Sequence, residues 1–261
     1  MKKLFILLFV LMLSLTLADA SESKKVLKVG MELAYPPFEM SDKDGKPAGV
    51  SVDFAKALGE SMGRKVVIEN IAWDGLIPSL KTGKIDLIIS SMTITDERKK
   101  SIDFSVPYAQ SSLAILGNKK SGISSIDDLN VKGRKVAVKK GSTGHLYARD
   151  HLKNAEMLVF DKESACVLEV VQGKADGFIY DQLTIYKNYA KHQDTTVALL
   201  KSFQKDFEYW GVALKKGSPL KAEVDAFIKK AKADGTFATF AKTHLTEAKK
   251  TFDALGIPFF F

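Results

Sequence analysis

The sequence predicts an α/β protein with two lobes, because strand and helix patterns alternate in two separate stretches of the chain. The first stretch covers residues 26–89 and the second covers residues 135–192. Alternation of this kind is typical of parallel strands joined by crossover helices. A third stretch, 210–245, holds one strand pattern and two helix patterns, which are too few for a separate domain. We therefore expect the third stretch to complete the first lobe.

Each element of the first stretch has its own local signal. Residues 26–30 form an apolar strand that ends at Gly30. Ser51 is placed to cap a helix that carries one apolar stripe and stops at Gly63. A strand at 65–68, a short helix at 76–80 closed by Gly83, and a strand at 86–89 follow. This order predicts a sheet whose strands are mostly parallel.

The second stretch repeats the pattern, with strands at 135–138, 157–160 and 177–180 and helices from Ser142 onward, at 163–172 and at 182–192. In the third stretch a strand at 210–214 precedes helices at 221–233 and 237–245. We predict that residues 24–112 and 206–261 form lobe 1 and that residues 113–205 form lobe 2. The chain then crosses near 113–117 and again near 205–209, and two crossings make a hinge. The apolar tail, 257–261, should pack on a lobe.

The N-terminus has the three parts of a secretory signal. Two lysines precede the apolar run 4–13, and the small residues Ala18 and Ala20 flank a cleavage pattern. The run is shorter than the roughly 20 residues that span a bilayer, so we expect cleavage after about Ala20, giving 1–20 as signal peptide, and not a retained membrane segment. Cys166 is the single cysteine, so no disulfide and no lipid-bearing cysteine is expected. It lies in an apolar helical pattern, which predicts a small core residue.

The formal net charge of +8 raises the question of nucleic-acid binding. The lysines are scattered and interleaved with acidic residues, and no basic stripe carries aromatic residues, so we expect no nucleic-acid partner. The sequence also lacks a Ser-His-Asp pattern, a metal-ligand cluster and a cofactor loop. We expect no metal, no cofactor and no catalysis.

The most informative stretch is 90–100, which follows the end of a buried strand, where open α/β sheets bind their ligands. It supplies the hydroxyls of Ser90, Ser91 and Thr93, and it places Arg98 in a first helical turn. The positive end of a helix disfavours a cation, and a bound carboxylate, gripped at two points by the guanidinium, would resolve the conflict. The alternative is a surface arginine paired with Asp103 or Asp96.

Three further features are compatible with an amino-acid ligand. The turn from Lys139 through Ser142 and Thr143 would direct backbone amides at a ligand oxygen. Asp181 ends a predicted strand and could receive an ammonium group, or it could cap the next helix. Tyr35 and Trp73 lie on loops and could flank a carbon stem or a cation, or they could pack at the edge of the core.

Over nearly all of the chain after the signal, these motifs resemble the bacterial extracellular solute-binding proteins of family 3, the polar amino-acid binders of ABC importers. The motifs that carry the resemblance, in matching order, are Tyr35-Pro36-Pro37-Phe38-Glu39, Trp73-Asp74-Gly75-Leu76, Thr93-Ile94-Thr95-Asp96-Glu97-Arg98, Ile102-Asp103-Phe104-Ser105 and Ala175-Asp176. The usual Gly-Phe-Asp before the first helix is here Gly49-Val50-Ser51. The resemblance implies a two-lobed periplasmic-binding-protein type II fold.

The resemblance also implies a role for each candidate residue. Arg98 is expected to hold the ligand α-carboxylate with the amides of Thr93 and Thr143. Asp181 is expected to take the α-ammonium together with Ser91, while Ser142 and Thr143 close over the ligand. Tyr35 and Trp73 are expected to flank the side chain, and Glu32 and Lys139 occupy positions that distinguish its chemistry.

Glu32 and Lys139 together favour a ligand that has both donors and acceptors, which indicates glutamine first and arginine or lysine next. The expected partners are the free amino acid and an ABC permease with its ATPase, and the expected state is a periplasmic monomer. Two alternatives stay open. One is a dehydratase of the cyclohexadienyl or arogenate type, with Glu32 as general acid. The other is a ligand-binding sensor that has no transporter.

Overall fold

The computed structural model describes residues 26–261, so the predicted signal peptide and its cleavage site lie outside the described residues. These residues form two compact units. Of the described residues, unit 1 contains 26–92, Glu97–Val106 and Val212–His244. Unit 2 contains Thr93–Asp96, Pro107–Gly211 and Leu245–Phe261. No helix within residues 26–261 is both long and apolar enough to cross a membrane.

Unit 1 is built on a mixed five-stranded sheet. Its strands are β1 (Val26–Met31), β5 (Lys65–Asn70), β6 (Leu87–Ile88), β7 (Ile102–Phe104) and β15 (Ala213–Lys215), in the order β5-β1-β6-β15-β7. β1 is parallel to β5 and β6, whereas β15 is antiparallel to β6 and β7. A small sheet of β2 (Ala34–Tyr35), β3 (Glu39–Ser41) and β4 (Pro47–Ala48) follows β1. The predicted α/β class with mixed sheets is confirmed.

The helices of unit 1 are α1 (Val50–Ser61), α2 (Trp73–Thr82), the short α3 (Asp96–Lys99), α7 (Lys221–Ala233) and α8 (Thr236–His244). Phe54 of α1 stacks on Phe227 and meets Phe237 edge-on, with ring centroids 5.8 and 5.3 Å apart. These contacts attach the third stretch of the chain to the first stretch. The expected cap of α1 is wrong, however, because Gly49 precedes the helix and Ser51 makes no cap; its hydroxyl instead donates to the buried Glu39 carboxyl.

Unit 2 contains a second five-stranded sheet, in the order β11-β10-β12-β9-β13. The strands are β9 (Leu113–Asn118), β10 (Lys135–Lys139), β11 (Glu156–Phe160), β12 (Gly177–Asp181) and β13 (Thr196–Leu199). Alternate residues of β9 contribute to two different core clusters, Leu113 and Ile115 to one and Ala114 and Leu116 to the other. Because successive strand side chains point to opposite faces, this sheet is covered on both sides.

The helices of unit 2 are α4 (Thr143–His151), α5 (Glu163–Val171), α6 (Gln182–Lys191) and α9 (Thr246–Leu255), with short 3-10 turns at Lys119–Ser121 and Asp127–Leu129. Cys166 of α5 is fully buried and belongs to one of the core clusters, so its predicted role in packing is confirmed. Burial raises the pKa of its thiol to about 12.

A separate two-stranded ribbon in unit 2 pairs β8 (Ala109–Ser111) with β14 (Glu208–Trp210). The single strand predicted at 210–214 is wrong: Gly211 and Val212 separate β14 from β15, and the two strands join different sheets. The tail packs as expected, with Phe260 buried against Trp210 and its carbonyl accepting from the Gln110 N–H.

The two units and the predicted lobes divide the chain differently at four places. Residues 93–96, 107–112, 206–211 and 245–261 were expected in lobe 1 but group with unit 2. The ribbon of β8 and β14 and the aromatic tail contact each other within this unit. Residues 113–117, expected to be a crossing, form most of β9. The lobe boundaries at 112–113 and 205–206 stay predictions.

Candidate functional site

The candidate residues of unit 1 follow the carboxyl ends of neighbouring parallel strands. Glu32 comes directly after β1, and Ser90 and Ser91 come two and three residues after β6. Since β1 and β6 are parallel partners, their carboxyl ends share one edge of the sheet. A direct contact joins them: the Glu32 N–H donates to the Ser90 hydroxyl oxygen over 3.0 Å.

Arg98 is buried, with only 6 % of its surface exposed. Its guanidinium carbon lies 5.3 Å from the centre of the Trp73 ring, a cation–π distance. Asp103, one of the two alternative partners, instead contacts Lys216 and the Gly217 N–H. Arg98 therefore does not lie at the surface, and its role in holding a ligand carboxylate stays a prediction. Tyr35 is also buried and stacks on Phe38, at 5.2 Å between centroids. Its position fits the core-edge alternative, and its ligand role stays a prediction.

Sequence reasoning missed the residue that connects the serines of unit 1. Glu39, part of the apolar Pro-Pro-Phe-Glu motif, is 1 % exposed, and its carboxyl oxygens receive hydroxyl donors from Ser51, Ser90 and Ser91. Burial in a medium of low dielectric disfavours the charged form and raises the Glu39 pKa to about 8, against the opposing effect of the hydroxyls. An acid immediately after a Pro-Pro-Phe run was the one available signal.

The candidate residues of unit 2 also share one sheet edge. Lys139 ends β10 and Asp181 ends β12, and these strands are parallel neighbours. Both residues are buried, at 4 % and 8 % exposed. The helix-capping alternative for Asp181 is confirmed, because its Oδ1 accepts from the Thr184 N–H over 3.0 Å. A cap uses one carboxylate oxygen, so a ligand role through the other stays a prediction.

The turn between β10 and α4 forms the predicted helix start, and its role in facing a ligand anion stays a prediction. The Ser142 hydroxyl caps α4 by accepting from the His145 N–H at 3.2 Å, and Thr143 is the first residue of the helix. Gly144 follows, and a Cβ there would lie 2.3 Å from the Ile179 carbonyl oxygen. Glycine is therefore needed for α4 to lie this close to β12.

A second carboxylate that sequence reasoning missed connects two of the predicted ligand residues. Oε2 of Glu208, in β14, accepts from the Thr143 hydroxyl at 2.8 Å and from the Thr93 hydroxyl at 3.2 Å. Its Oε1 accepts from the Gln204 side chain at 3.2 Å. Nothing in the local sequence around Glu208 indicates this role, since the contacts come from positions far apart in the chain.

No group of three or more His, Cys, Asp and Glu side chains suited to a metal ion occurs within residues 26–261. Every candidate named from the sequence is thus located in one of two groups. The unit 1 group contains Glu32, Tyr35, Trp73, Ser90, Ser91 and Arg98, and the unit 2 group contains Thr93, Lys139, Ser142, Thr143 and Asp181. Each group holds polar side chains at the carboxyl edge of a sheet, which defines a solute-binding α/β protein.

The chain belongs to the bacterial extracellular solute-binding proteins, family 3, whose family model matches residues 27–247. It is similar to the L-arginine-binding protein of Pseudomonas aeruginosa, with 35% identity over 91% of this chain and 94% of that protein. It is an amino-acid-binding protein of the kind that serves ABC transporters. A periplasmic location is typical of such proteins.

Two solved structures are similar over most of their length. One is the ancestral amino acid-binding protein AncCDT-1, a precursor of cyclohexadienyl dehydratase, with a TM-score of 0.77, 37% identity, and coverage of 87% of this chain and 98% of that chain. The other is an ABC-transporter binding component from Wolinella succinogenes complexed with lysine, with a TM-score of 0.78, 36% identity, and coverage of 86% and 97%. These likenesses confirm the predicted type II periplasmic-binding-protein fold.

Proposed function

We propose that this protein captures one free polar L-amino acid in the periplasm and delivers it to an ABC permease and its ATPase. The signal peptide of residues 1–20 is removed first, and the mature protein acts as a monomer. The ligand is held by groups from both predicted lobes, and closure around it produces the form that the transporter recognises. Periplasmic binding proteins close their domains around a ligand by a hinge motion.

The observation that carries this proposal is the buried guanidinium of Arg98 against Trp73. A guanidinium binds a carboxylate at two points, and such charge-assisted contacts are stronger than hydrogen bonds between neutral groups. The α-carboxylate of an amino acid is the ligand group that fits Arg98. The amides at the start of α4, around Thr143, supply a second set of donors for the same anion.

The opposite end of the ligand requires acceptors. Asp181 ends β12 with its carboxylate buried, and the Ser91 carbonyl or hydroxyl lies at the edge of the unit 1 sheet, so both are assigned to the α-ammonium. Glu32 is assigned to an N–H donor of the ligand side chain. Glutamine, arginine and lysine all carry such a donor beyond a stem of methylene groups.

The choice among these ligands depends on Lys139, which is buried at the end of β10. A lysine charge close to the side chain favours glutamine, which also offers an acceptor. The relatives named for arginine and complexed with lysine favour a cationic ligand. Calorimetric titration with glutamine, arginine, lysine, glutamate and alanine ranks them, and we expect glutamine first, arginine or lysine next and glutamate last.

Arg98→Ala is the direct test of the carboxylate assignment. Loss of a two-point, charge-assisted contact should weaken binding at least about 100-fold. Lys99→Ala, one position further along α3 and exposed, is the matched control and should bind as the unmodified protein does. Equal affinities for Arg98→Ala and the unmodified protein would refute the proposal.

The enzyme alternative has one specific support, the likeness to a precursor of cyclohexadienyl dehydratase. Glu32 is the general acid that this alternative requires. Incubation with prephenate or arogenate decides it, and we expect no turnover above that of a Glu32→Gln variant. The sensor alternative is decided by amino-acid uptake in cells with and without the gene, where we expect uptake to depend on it.

A further inference from the structure

The Glu39 carboxyl group contacts α1 and the segment after β6 that holds Ser90 and Ser91. Ser51 of α1 donates to its Oε2 over 2.6 Å, and Ser91 donates to the same oxygen over 3.0 Å. Ser90 donates to Oε1 over a longer 3.4 Å. Through the Ser90 hydroxyl, which accepts from the Glu32 N–H, the contacts extend to the end of β1.

This arrangement accounts for an unusual backbone conformation. Ser91 has a φ of 47°, and within residues 26–261 no other residue except glycine has a positive φ. A side chain is disfavoured in this region, and the conformation persists only where surrounding contacts hold it. The two hydroxyl contacts of Ser90 and Ser91 with Glu39 supply that restraint.

We propose that Glu39 is a positioning residue of the amino-acid site, which fixes Ser90, Ser91 and Glu32 and releases its proton when the ligand binds. This inference rests on the proposed function, because it takes the α-ammonium to lie beside Ser91. The side chain itself is too buried to touch the ligand and acts through the serines.

The direction of the proton release follows from the charges around Glu39. Burial is the main cause of its raised pKa of about 8, and the Glu32 carboxylate raises it further. The remaining contacts, from α1 and from the segment after β6, are the hydroxyls of Ser51, Ser90 and Ser91. At pH 7 the free protein therefore holds Glu39 mostly protonated. A ligand ammonium beside Ser91 favours the ionised carboxylate and lowers the pKa.

The consequence is a ligand affinity that rises with pH. If the ammonium lowers the Glu39 pKa by about one unit, the association constant should rise about sixfold between pH 6.5 and pH 8.5. Glu39→Gln keeps the size of the side chain and one acceptor oxygen but cannot ionise. Its association constant should lack this rise, so that the ratio between the two proteins isolates Glu39 from the titration of the ligand amine.

The experiment is calorimetric titration of the best-binding amino acid at pH 6.5, 7.5 and 8.5. The mature protein is compared with Glu39→Gln, with Glu39→Ala, and with Glu60→Gln, an exposed control on α1. Circular dichroism checks that each variant is folded. We expect Glu39→Ala to bind at least about tenfold more weakly, because the serines lose their acceptor. Glu60→Gln should keep the pH dependence of the unmodified protein.

Glu39→Gln is the informative variant if Glu39→Ala fails to fold. An unmodified protein that binds, together with a Glu39→Gln variant showing the same pH dependence, overturns the inference and leaves the proposed function standing. An unmodified protein that binds no amino acid at any pH overturns both.

Discussion

Gly144→Ala tests whether the close approach of α4 to β12 determines both stability and ligand affinity. The added Cβ would lie 2.3 Å from the Ile179 carbonyl oxygen and 3.0 Å from its carbonyl carbon. Ile179 cannot retreat, because its strand, β12, is paired with β9 and β10 on its two sides. The first turn of α4 must instead move by roughly 1 Å to restore an ordinary contact distance.

The cost of this movement can be set against the helix preference of alanine. Overpacking of a well-packed interior costs about 1–3 kcal/mol, and alanine recovers up to about 1 kcal/mol in a helix relative to glycine. The net loss of unfolding free energy should be about 1–2 kcal/mol. The same movement displaces Ser142 and Thr143, which the proposed function assigns to the ligand, so amino-acid affinity should fall about tenfold.

Urea unfolding followed by circular dichroism measures the loss of unfolding free energy, and calorimetry measures the loss of amino-acid affinity. Gly75→Ala is the control, because Gly75 is also in the first turn of a helix, α2. Its Cβ would meet only the Ile71 side-chain methyl at 3.1 Å, which can rotate away. We expect the control to be as stable as the unmodified protein or more so. A Gly144→Ala variant with unchanged urea midpoint and unchanged affinity would refute the reasoning.

Three further predictions concern single side chains. The folded protein holds the Glu39 proton up to a pKa of about 8, whereas the unfolded chain releases it near 4.5, so stability should fall by at most about 4 kcal/mol as pH rises from 5 to 8. Glu39→Gln should flatten this dependence in urea midpoints, and an identical slope in the variant would contradict it. Cys166 is buried and the pKa of its thiol is raised to about 12. We therefore expect it to resist a thiol reagent at pH 8 until urea unfolds the protein. Rapid labelling of the native protein would contradict this burial. Glu208→Ala should weaken amino-acid binding about tenfold, because the hydroxyls of Thr93 and Thr143 lose their acceptor. Glu208→Gln keeps one acceptor oxygen and should retain most of the affinity. Equal losses of affinity in both variants would show that the charge of Glu208 matters and the acceptor does not.

The secondary structure was largely predictable because its signals are local. Periodicity and turn residues indicated β1, β10 and the helix at 221–233, and the boundaries of these elements in the structure agree within a residue or two. Short strands were harder to predict. β2, β3 and β8 have two or three residues each, too few for any periodicity to register. Their pairing partners are set by contacts between distant parts of the chain.

The candidate ligand residues were identified by their position after strands and by the family motifs. For Arg98 the sequence was informative, because a cation in a first helical turn indicated an unusual environment. The structure shows Arg98 buried against Trp73. Asp181 illustrates the limit. One residue type serves both as helix cap and as ammonium acceptor, and only the geometry showed that it caps α6.

The sequence by itself determined the α/β class, the amino-acid-binding family and the residue types at the carboxyl edges of the two sheets, because periodicity, turns and motifs are properties of neighbouring residues. The tertiary structure alone decided what Ser51, Glu39 and Glu208 do. Ser51 does not cap α1 as expected, because its hydroxyl donates instead to the buried carboxyl group of Glu39, 12 positions away. Glu208 connects Thr93 and Thr143 across 115 and 65 positions of the chain. Burial and long-range pairing fix the partners of a polar side chain, and neither is encoded in the residues next to it.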